Sequence, residues 1–167
     1  MHASDLSAAC TVRPLLPPDA ARVLPLLRGN AIFYRYHPPA PTLESISEDM
    51  TALPPGRTPQ DKHYVGFFRQ DELLAVLDLV LHYPSPEAAM IGFFMVDVRW
   101  QGQGIGSRLI ADVLAALAAQ GFARVRLAVD EGNPQSRAFW LKNGFAMTGE
   151  RIPNAFSAYL PMEKPLI

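Results

Sequence analysis

The stretch Trp100-Gln101-Gly102-Gln103-Gly104-Ile105-Gly106-Ser107-Arg108-Leu109-Ile110 sets glycines at alternate positions just before an apolar run. A helix entered from a strand through glycines presents unpaired N–H groups and the positive end of its dipole, a combination that suits phosphate oxygens. The same glycines can also serve only a tight strand-to-helix turn. Two better-known phosphate loops do not fit. A P-loop carries Lys then Ser/Thr after its last glycine, whereas Gly106 is followed by Ser107 and Arg108; a dinucleotide fingerprint counted from Gly102 and Gly104 needs glycine where Ser107 stands. The second chemical candidate is Asp78, a carboxylate inside the aliphatic run Leu73 to Leu81. Strand alternation puts Leu73, Ala75, Leu77, Leu79 and Leu81 on one face and Leu74, Val76, Asp78, Val80 and His82 on the other. Burial among aliphatics raises a carboxylate's pKa and suits Asp78 to act as a base, directly or through water. The alternative is an aspartate hydrogen-bonded to a neighbouring loop. His2, His37, His63 and His82 lack metal-ligand spacing, Cys10 is remote from both motifs, and no Gly-x-Ser-x-Gly elbow occurs, so neither a metal nor a covalent intermediate is expected.

The elements that must position these residues are legible from periodicity and punctuation. A short strand is expected near Thr11 to Arg13, followed by a helix in "PPDAARVLPLLRGN", with Asp19 in its first turn, Pro25 weakening or kinking it and Gly29 closing it. "TLESISEDMTAL" reads as a second helix, capped by Thr42 with Ser45 at the third helical position, with Leu43, Ile46 and Met50 at helical spacing and Pro54 as its stop. Between them lies "AIFYRYHPP", expected as a loop whose Phe33, Tyr34, Arg35, Tyr36 and His37 either bind a small polar ligand or plug the sheet edge. "HYVGFFR", a Gln70-Asp71 turn and "ELLAVLDLVLHY" form a hairpin, and a further strand runs from Met90 to Val98. Leu109, Ile110, Val113, Leu114 and Leu117 recur at helical spacing up to Gly121, and "ARVRLAV" is the next strand, so strand, loop, helix and strand make a right-handed parallel βαβ unit. Asn133-Pro134 opens a short helix in "QSRAFWLKN" that Gly144 stops, and a final β-prone stretch surrounds Phe156 to Leu160.

Gln101-x-x-Gly104-x-Gly106 at a strand end resembles the Gln/Arg-x-x-Gly-x-Gly/Ala loop of the GNAT N-acetyltransferase superfamily. "IGFFMVD" is similar to that family's fourth strand and "NPQSRAFWLKNGF" to its Asn…Tyr-x-x-x-Gly-Phe segment, and the element order agrees from Tyr64 to Phe145. The resemblance implies acetyl transfer from acetyl-coenzyme A to the amine of a small molecule or peptide, in a ternary complex without metal. It assigns Gln101, Gly102, Gln103, Gly104, Ile105, Gly106 and Ser107 to the coenzyme A pyrophosphate. Phe94, Met95 and Val96 would splay from the next strand and bind the pantetheine arm through their backbone, with a Val96 N–H as oxyanion donor. Asn133 would contact the pantetheine end, although capping explains it equally well. Arg137, with Arg99 and Arg108, would face the phosphates or simply be solvated. Tyr34, Tyr36 and Asp78 would meet the acceptor.

Trp140 departs from the family pattern, since many members place there a tyrosine able to protonate the leaving thiolate, and an indole N–H cannot practically give up its proton. Tyr64, Tyr83 or Tyr159 could substitute, or the thiolate could leave unaided. Phe139 and Trp140 diverge by about 100° around a helix, so one should pack into the core and the other face the cofactor. The expectation is Phe139 in the core and Trp140 on the channel, with plain core packing of Trp140 as the alternative.

The chain as a whole limits other readings. Its 167 residues, 49% hydrophobic and 19% charged, fit one domain spanning 1–167. A net charge of −1 without a basic stripe gives no sign of a nucleic-acid partner. Leu73 to Leu81, broken by Asp78, falls well short of the ~20 residues of a membrane span. "MHASDLSAAC" lacks the basic and apolar regions of an export signal, and one cysteine excludes an internal disulfide, so a cytoplasmic monomer or homodimer is expected. The expected fold is α/β (α+β): a mixed, mostly antiparallel sheet of about six to seven strands with a parallel βαβ core and flanking helices. The rival functions are a non-catalytic coenzyme A-binding or sensor module and a different nucleotide-binding α/β protein.

Overall fold

The computed structural model describes residues 1–166. In chain order the elements are β1 (Thr11–Pro14), α1 (Ala20–Gly29), α2 (Ala31–Tyr36), α3 (Leu43–Thr51), β2 (Lys62–Arg69), β3 (Glu72–Leu81), β4 (Ala88–Val96), α4 (Ile105–Ala119), β5 (Arg124–Asp130), α5 (Pro134–Lys142), β6 (Ala146–Met147), β7 (Ile152–Pro153) and β8 (Ala158–Pro165). The strands form one eight-stranded sheet in the order β1-β2-β3-β4-β5-β8-β6, with β7 pairing β8. Every pair is antiparallel except β4–β5, the arms of the βαβ unit. The sheet is thus the mixed, mostly antiparallel one expected, with β6 and β7 contributing only two residues each.

Both faces of the sheet are covered. Leu109, Ile110, Val113, Leu114 and Leu117 of α4 pack with Ala75, Leu77, Leu79 and Leu81 on one face, while α1 and α3 cover Tyr64, Phe68, Val76 and Met95 on the other. The α3 cap forms as the sequence indicates, Thr42 Oγ1 accepting from the Ser45 N–H at 3.1 Å and Ser45 Oγ from the Thr42 N–H at 3.0 Å. Ile46 and Met50 turn inward, but Leu43 stays exposed in the first turn. Pro25 sits inside α1 on its exposed side, where the carbonyl it leaves without a helical partner faces water.

Two bulges set which residues reach the centre of the molecule. In the β2–β3 hairpin, Phe68 opposes Leu73 but Phe67 opposes Ala75, so Leu74 is the extra residue. Leu73 therefore joins the face covered by α1 and α3, not the Ala75 face that strict alternation assigned to it. Between β3 and β4, Asp78 opposes Phe93 while Leu79 opposes Ile91, which leaves Gly92 over. Before this bulge Ala89 and Ile91 face α4; after it Phe94 and Val96 do, and Phe93 and Met95 turn to the opposite face. Past the bulge β4 also leaves β5. Their ladder joins Ala88, Ala89 and Met90 to Arg124, Val125 and Arg126, after which β4 stays with β3 and β5 with β8. A V-shaped gap opens in the middle of the sheet.

The segment expected as a loop around Tyr34 is instead helix α2, which ends as the His37 N–H bonds the Phe33 carbonyl at 3.1 Å. Six residues make less than two turns, too few for a repeating apolar stripe, and the flanking Asn30 and Pro38-Pro39 read as loop signals. The β4 strand stops at Val96 rather than Val98, because Asp97 caps a short 3₁₀ turn by accepting from the Arg99 N–H at 2.9 Å.

Candidate active site

The glycine loop closes the wide end of the gap. Gly102 and Gly104 hold φ of +73° and +79°, a region costly for any other residue, and Gly104 occupies the cap position of α4. Gly106 serves differently: a Cβ there would lie 3.2 Å from Phe139 Cε2 and from Val96 Cγ2, so it lets α4 approach β4 and α5 closely. The first α4 hydrogen bond runs from the Arg108 N–H to the Gly104 carbonyl at 3.1 Å. None of the backbone N–H groups from Gly102 to Ser107 has a partner among the described residues, which leaves a row of donors at a helix N-terminus.

Beside this loop runs a cleft of about 310 Å³ lined by Phe94, Val96, Gly102, Gly104, Gly106 and Ser107, with Asn133, Ser136, Phe139 and Trp140 across it and Lys142 at its rim. Asn133, 3% exposed, caps α5 by accepting from the Ser136 N–H at 3.1 Å, and still faces the cleft through its remaining amide atoms. The direction of the β4 amides follows from the ladder. The Asp97 N–H donates to the Leu74 carbonyl at 2.8 Å, and antiparallel alternation then turns the Met95 N–H towards β3 and those of Phe94 and Val96 towards the gap. Met95 thus lines the cleft without offering it a backbone donor. The Val96 carbonyl is already taken, accepting from Gln101 Nε2 at 2.8 Å and Asn30 Nδ2 at 3.2 Å. Gln101 also donates to Asn30 Oδ1 at 2.6 Å, so its side chain ties loop, β4 and the end of α1 together.

On the other side of Phe94 the gap continues into a chamber of about 450 Å³ under α2 and α3. Phe33, Phe94, Ser136 and Trp140 border both spaces. The chamber floor is a row across three strands, Tyr64, Asp78 and Phe93, set by the pairings Tyr64–Asp78 and Asp78–Phe93. Lys62, with a side chain only 7% exposed, straddles the Asp78 carboxylate at 2.8 Å from Oδ1 and 2.9 Å from Oδ2. Only the Oδ2 contact has hydrogen-bond alignment, so Oδ1 is buried with the ammonium's charge nearby but no hydrogen bond of its own. Burial pushes the Asp78 pKa up and Lys62 pulls it partly back. Gly92 makes room for this carboxylate, since a Cβ there would stand 2.9 Å from Asp78 Oδ2. Tyr34, Asp49 and Tyr159 also line the chamber, and His37 Nδ1 bridges from the end of α2 to both carboxylate oxygens of Asp130 at 3.1 Å.

This arrangement, free amides at a helix start on one side of a split sheet and a buried carboxylate on the other, agrees with a family model described as Acetyltransferase (GNAT) family that matches residues 30–145. The chain belongs to the GNAT acetyltransferase family. GNAT acetyltransferases move an acetyl group from acetyl-coenzyme A to an amine, and this chain is an N-acetyltransferase of that kind. Solved structures carry the same fold. An acetyltransferase from Thermus thermophilus superposes with TM-score 0.75 at 23% identity, covering 99% of each chain. The ribosomal-protein-S18-alanine N-acetyltransferase from Escherichia coli gives 0.69 at 17% identity over 93% of each chain. The PaiA N-acetyltransferase from Thermoplasma acidophilum, in complex with coenzyme A, gives 0.67 at 17% identity over 93% of this chain and 98% of that one. No curated protein matches the chain.

Within this GNAT frame, the gap gathers Phe94, Met95, Val96, Gln101, Gly102, Gly104, Gly106, Ser107, Asn133 and Trp140 around one cleft, and Tyr34 and Asp78 around the chamber. Gln103 in the loop and Ile105 at the start of α4 line neither space, and the Gln103 amide instead donates to the Arg99 carbonyl at 3.1 Å. Arg99 is held by Asp97 at 2.8 Å and Glu72 at 3.1 Å, and Arg137 is exposed outside the cleft. Tyr36 lies over the β5–α5 turn at Gly132, outside the chamber lining. Trp140 lines the cleft as expected, but the expected division between the two rings does not hold: Trp140 is also the more buried, 6% exposed and packed edge-on against Phe94, Phe139 and Phe145, while Phe139 is half-buried, stacks on Phe94 and lines the cleft as well. The gap admits both rings because a split sheet has cleft where an intact one has core. Sequence reasoning did not find Asn30, Lys62, Asp49, Ser136 or Lys142. None had a usable local signal: Lys62 pairs with Val80, two residues along the same face from Asp78, in a register that only the bulge sets.

Proposed function

We propose that residues 1–167 act as one cytoplasmic domain, monomeric or dimeric, that acetylates an amine directly within a ternary complex. The loop amides from Gly102 to Ser107 hold the pyrophosphate of acetyl-coenzyme A, Lys142 adds a cation at the rim, and Phe94, Val96 and Asn133 hold the pantetheine arm, with Gln101 acting through the loop it braces. The coenzyme A complex of the Thermoplasma acidophilum relative supports the same ligand here, and the single unpaired Cys10 is compatible with a reducing compartment.

In the reaction, the acceptor ammonium gives a proton to the Asp78 carboxylate, directly or through water, and the freed lone pair forms the C–N bond at the thioester carbon. The carbonyl electrons collect on oxygen, where the Val96 N–H donates, and then expel the thiolate as the C–S bond breaks. As the C–S bond breaks, the nitrogen gives up its second proton, which passes directly or through water or a chamber phenol to the thiolate, leaving neutral amide and free thiol. Trp140 contributes shape, since its indole is not an acid. The observation that carries this reading is the continuity of the split: unpaired amides at a helix start at one end lead past the Val96 N–H to a buried carboxylate at the other. Thiol release from acetyl-coenzyme A over a panel of amines, with the product identified by mass, tests it. Acetylated amine in step with free thiol is expected. Tight coenzyme A binding with no acetylated product from any amine would establish the sensor-module reading instead.

A further inference from the structure

The acceptor chamber carries more chemistry than proton abstraction uses. Its charged lining is Asp49, Asp78, Asp130 and His37, and among the described residues no lysine or arginine lines it. Lys62 pairs with Asp78 and His37 with Asp130, which leaves Asp49 of α3 with no ion pair of its own among the described residues, although the charges of both cations reach it. Tyr64 stands beside it. This residue is almost wholly withdrawn from solvent, at 5% exposure, yet its hydroxyl makes no hydrogen bond among the described residues and is not sealed in, because the ring lines the chamber. A buried phenol left open towards a cavity is a group awaiting a ligand's donor or acceptor. Tyr34, its phenol also kept neutral by burial and by the Asp49 charge, completes this corner, and Phe33 meets Tyr34 edge-on at 5.0 Å and Phe93 at 5.5 Å. Carboxylate, phenol oxygens and aromatic faces around one space are what an alkylammonium seeks, and the cations near the chamber, Lys62 and His37, are already engaged by Asp78 and Asp130.

We propose that the acceptor is a small amine bearing a second cationic group and no carboxylate, with the reacting nitrogen at Asp78 and the second cation held by Asp49, Tyr34 and Tyr64. The inference rests on the acetyltransfer reading above and adds the acceptor's charge. A chamber of about 450 Å³ lies in the usual range for small-molecule pockets, which favours a free diamine over a peptide chain.

A four-carbon series separates the possibilities: 1,4-diaminobutane, butylamine and 4-aminobutanoate share a reacting amine and end in a cation, a methyl and an anion. Steady-state kcat/KM with acetyl-coenzyme A and calorimetric binding to the protein saturated with coenzyme A are measured for each, alongside a short peptide with a free N-terminus and lysine second. The expected order is diamine, monoamine, amino acid, with about tenfold or more between the first two, the factor that one modest charge contact gives. Asp49→Asn is expected to bring the diamine-to-butylamine ratio close to one, and Tyr64→Phe to lower it by a smaller factor. Equal rates for diamine and butylamine, a preference for 4-aminobutanoate, or a peptide far better than all three would overturn the proposal while acetyl transfer itself stands. Selective diamine binding with no acetylated product would uphold the charge assignment and sink the transfer reading. Neither binding nor transfer of any amine would sink both.

Discussion

Asp78 illustrates how one residue is tuned by its neighbours. As the proposed base it can act only when ionised, so turnover is expected to fall as pH drops through its folded pKa, which burial raises and Lys62 restrains. Replacing Lys62 with Met removes the restraint, and the acid limb of the kcat/KM profile is expected to move to higher pH. An unmoved limb would remove Asp78 from the proton path. Asp78→Asn is expected to lower kcat by about 10²-fold, at the lower end of what a general base contributes, with coenzyme A affinity nearly unchanged. Its melting temperature should be followed too, because Lys62 is then left buried without its counter-charge. For Trp140, packed among Phe94, Phe139 and Phe145, the Phe variant should retain most turnover and lose about 1 kcal/mol of stability. A large drop in turnover with intact stability would show that the indole N–H assists the leaving group.

Among the elements, β4 and the loop after it do the positioning, and their glycines separate by cause. Gly92→Ala places a methyl 2.9 Å from Asp78 Oδ2, so the carboxylate must swing aside; kcat is expected to fall by about 10²-fold, the usual penalty of a misplaced catalytic group, with coenzyme A affinity retained. Equal loss in both measurements would mean that β4 itself had shifted. Gly106→Val wedges α4 away from Phe139 and Val96 and should cost about 1–3 kcal/mol of stability together with cofactor affinity. Much of this scale could be read from sequence: the α3 cap, the apolar stripe of α4 and the Gln70-Asp71 turn all decide their elements locally. The hairpin register could not. Counting back from Arg69–Glu72 without a bulge sets Tyr64 against Leu77, on the wrong face for Asp78, and only the extra Leu74 brings Tyr64 and Asp78 together. A bulge forms because the packing on both faces is better with it, and a single strand's residues do not record that.

At the scale of the whole molecule, the walls of the split are joined across its mouth by His37 and Asp130. The hydrogen bond to Asp130 raises the His37 pKa above its ordinary 6.5, so the stabilisation is fully present below that value and is lost as pH rises through the higher folded value. Melting temperature is therefore expected to decline as pH rises through that interval, and His37→Ala should flatten the decline; the ring is partly exposed, so the change is small. What the sequence determined by itself was the family, the βαβ order and the glycine loop at the start of α4, because each is a short-range pattern: glycines at fixed offsets, a helical stripe, a cap. The tertiary structure decided which amides face the gap, that Lys62 answers Asp78, that Trp140 is the buried ring and that three aspartates share one chamber. Those facts depend on bulges, on the parting of β4 from β5 and on contacts between residues as far apart as His37 and Asp130, where no local spacing carries the information.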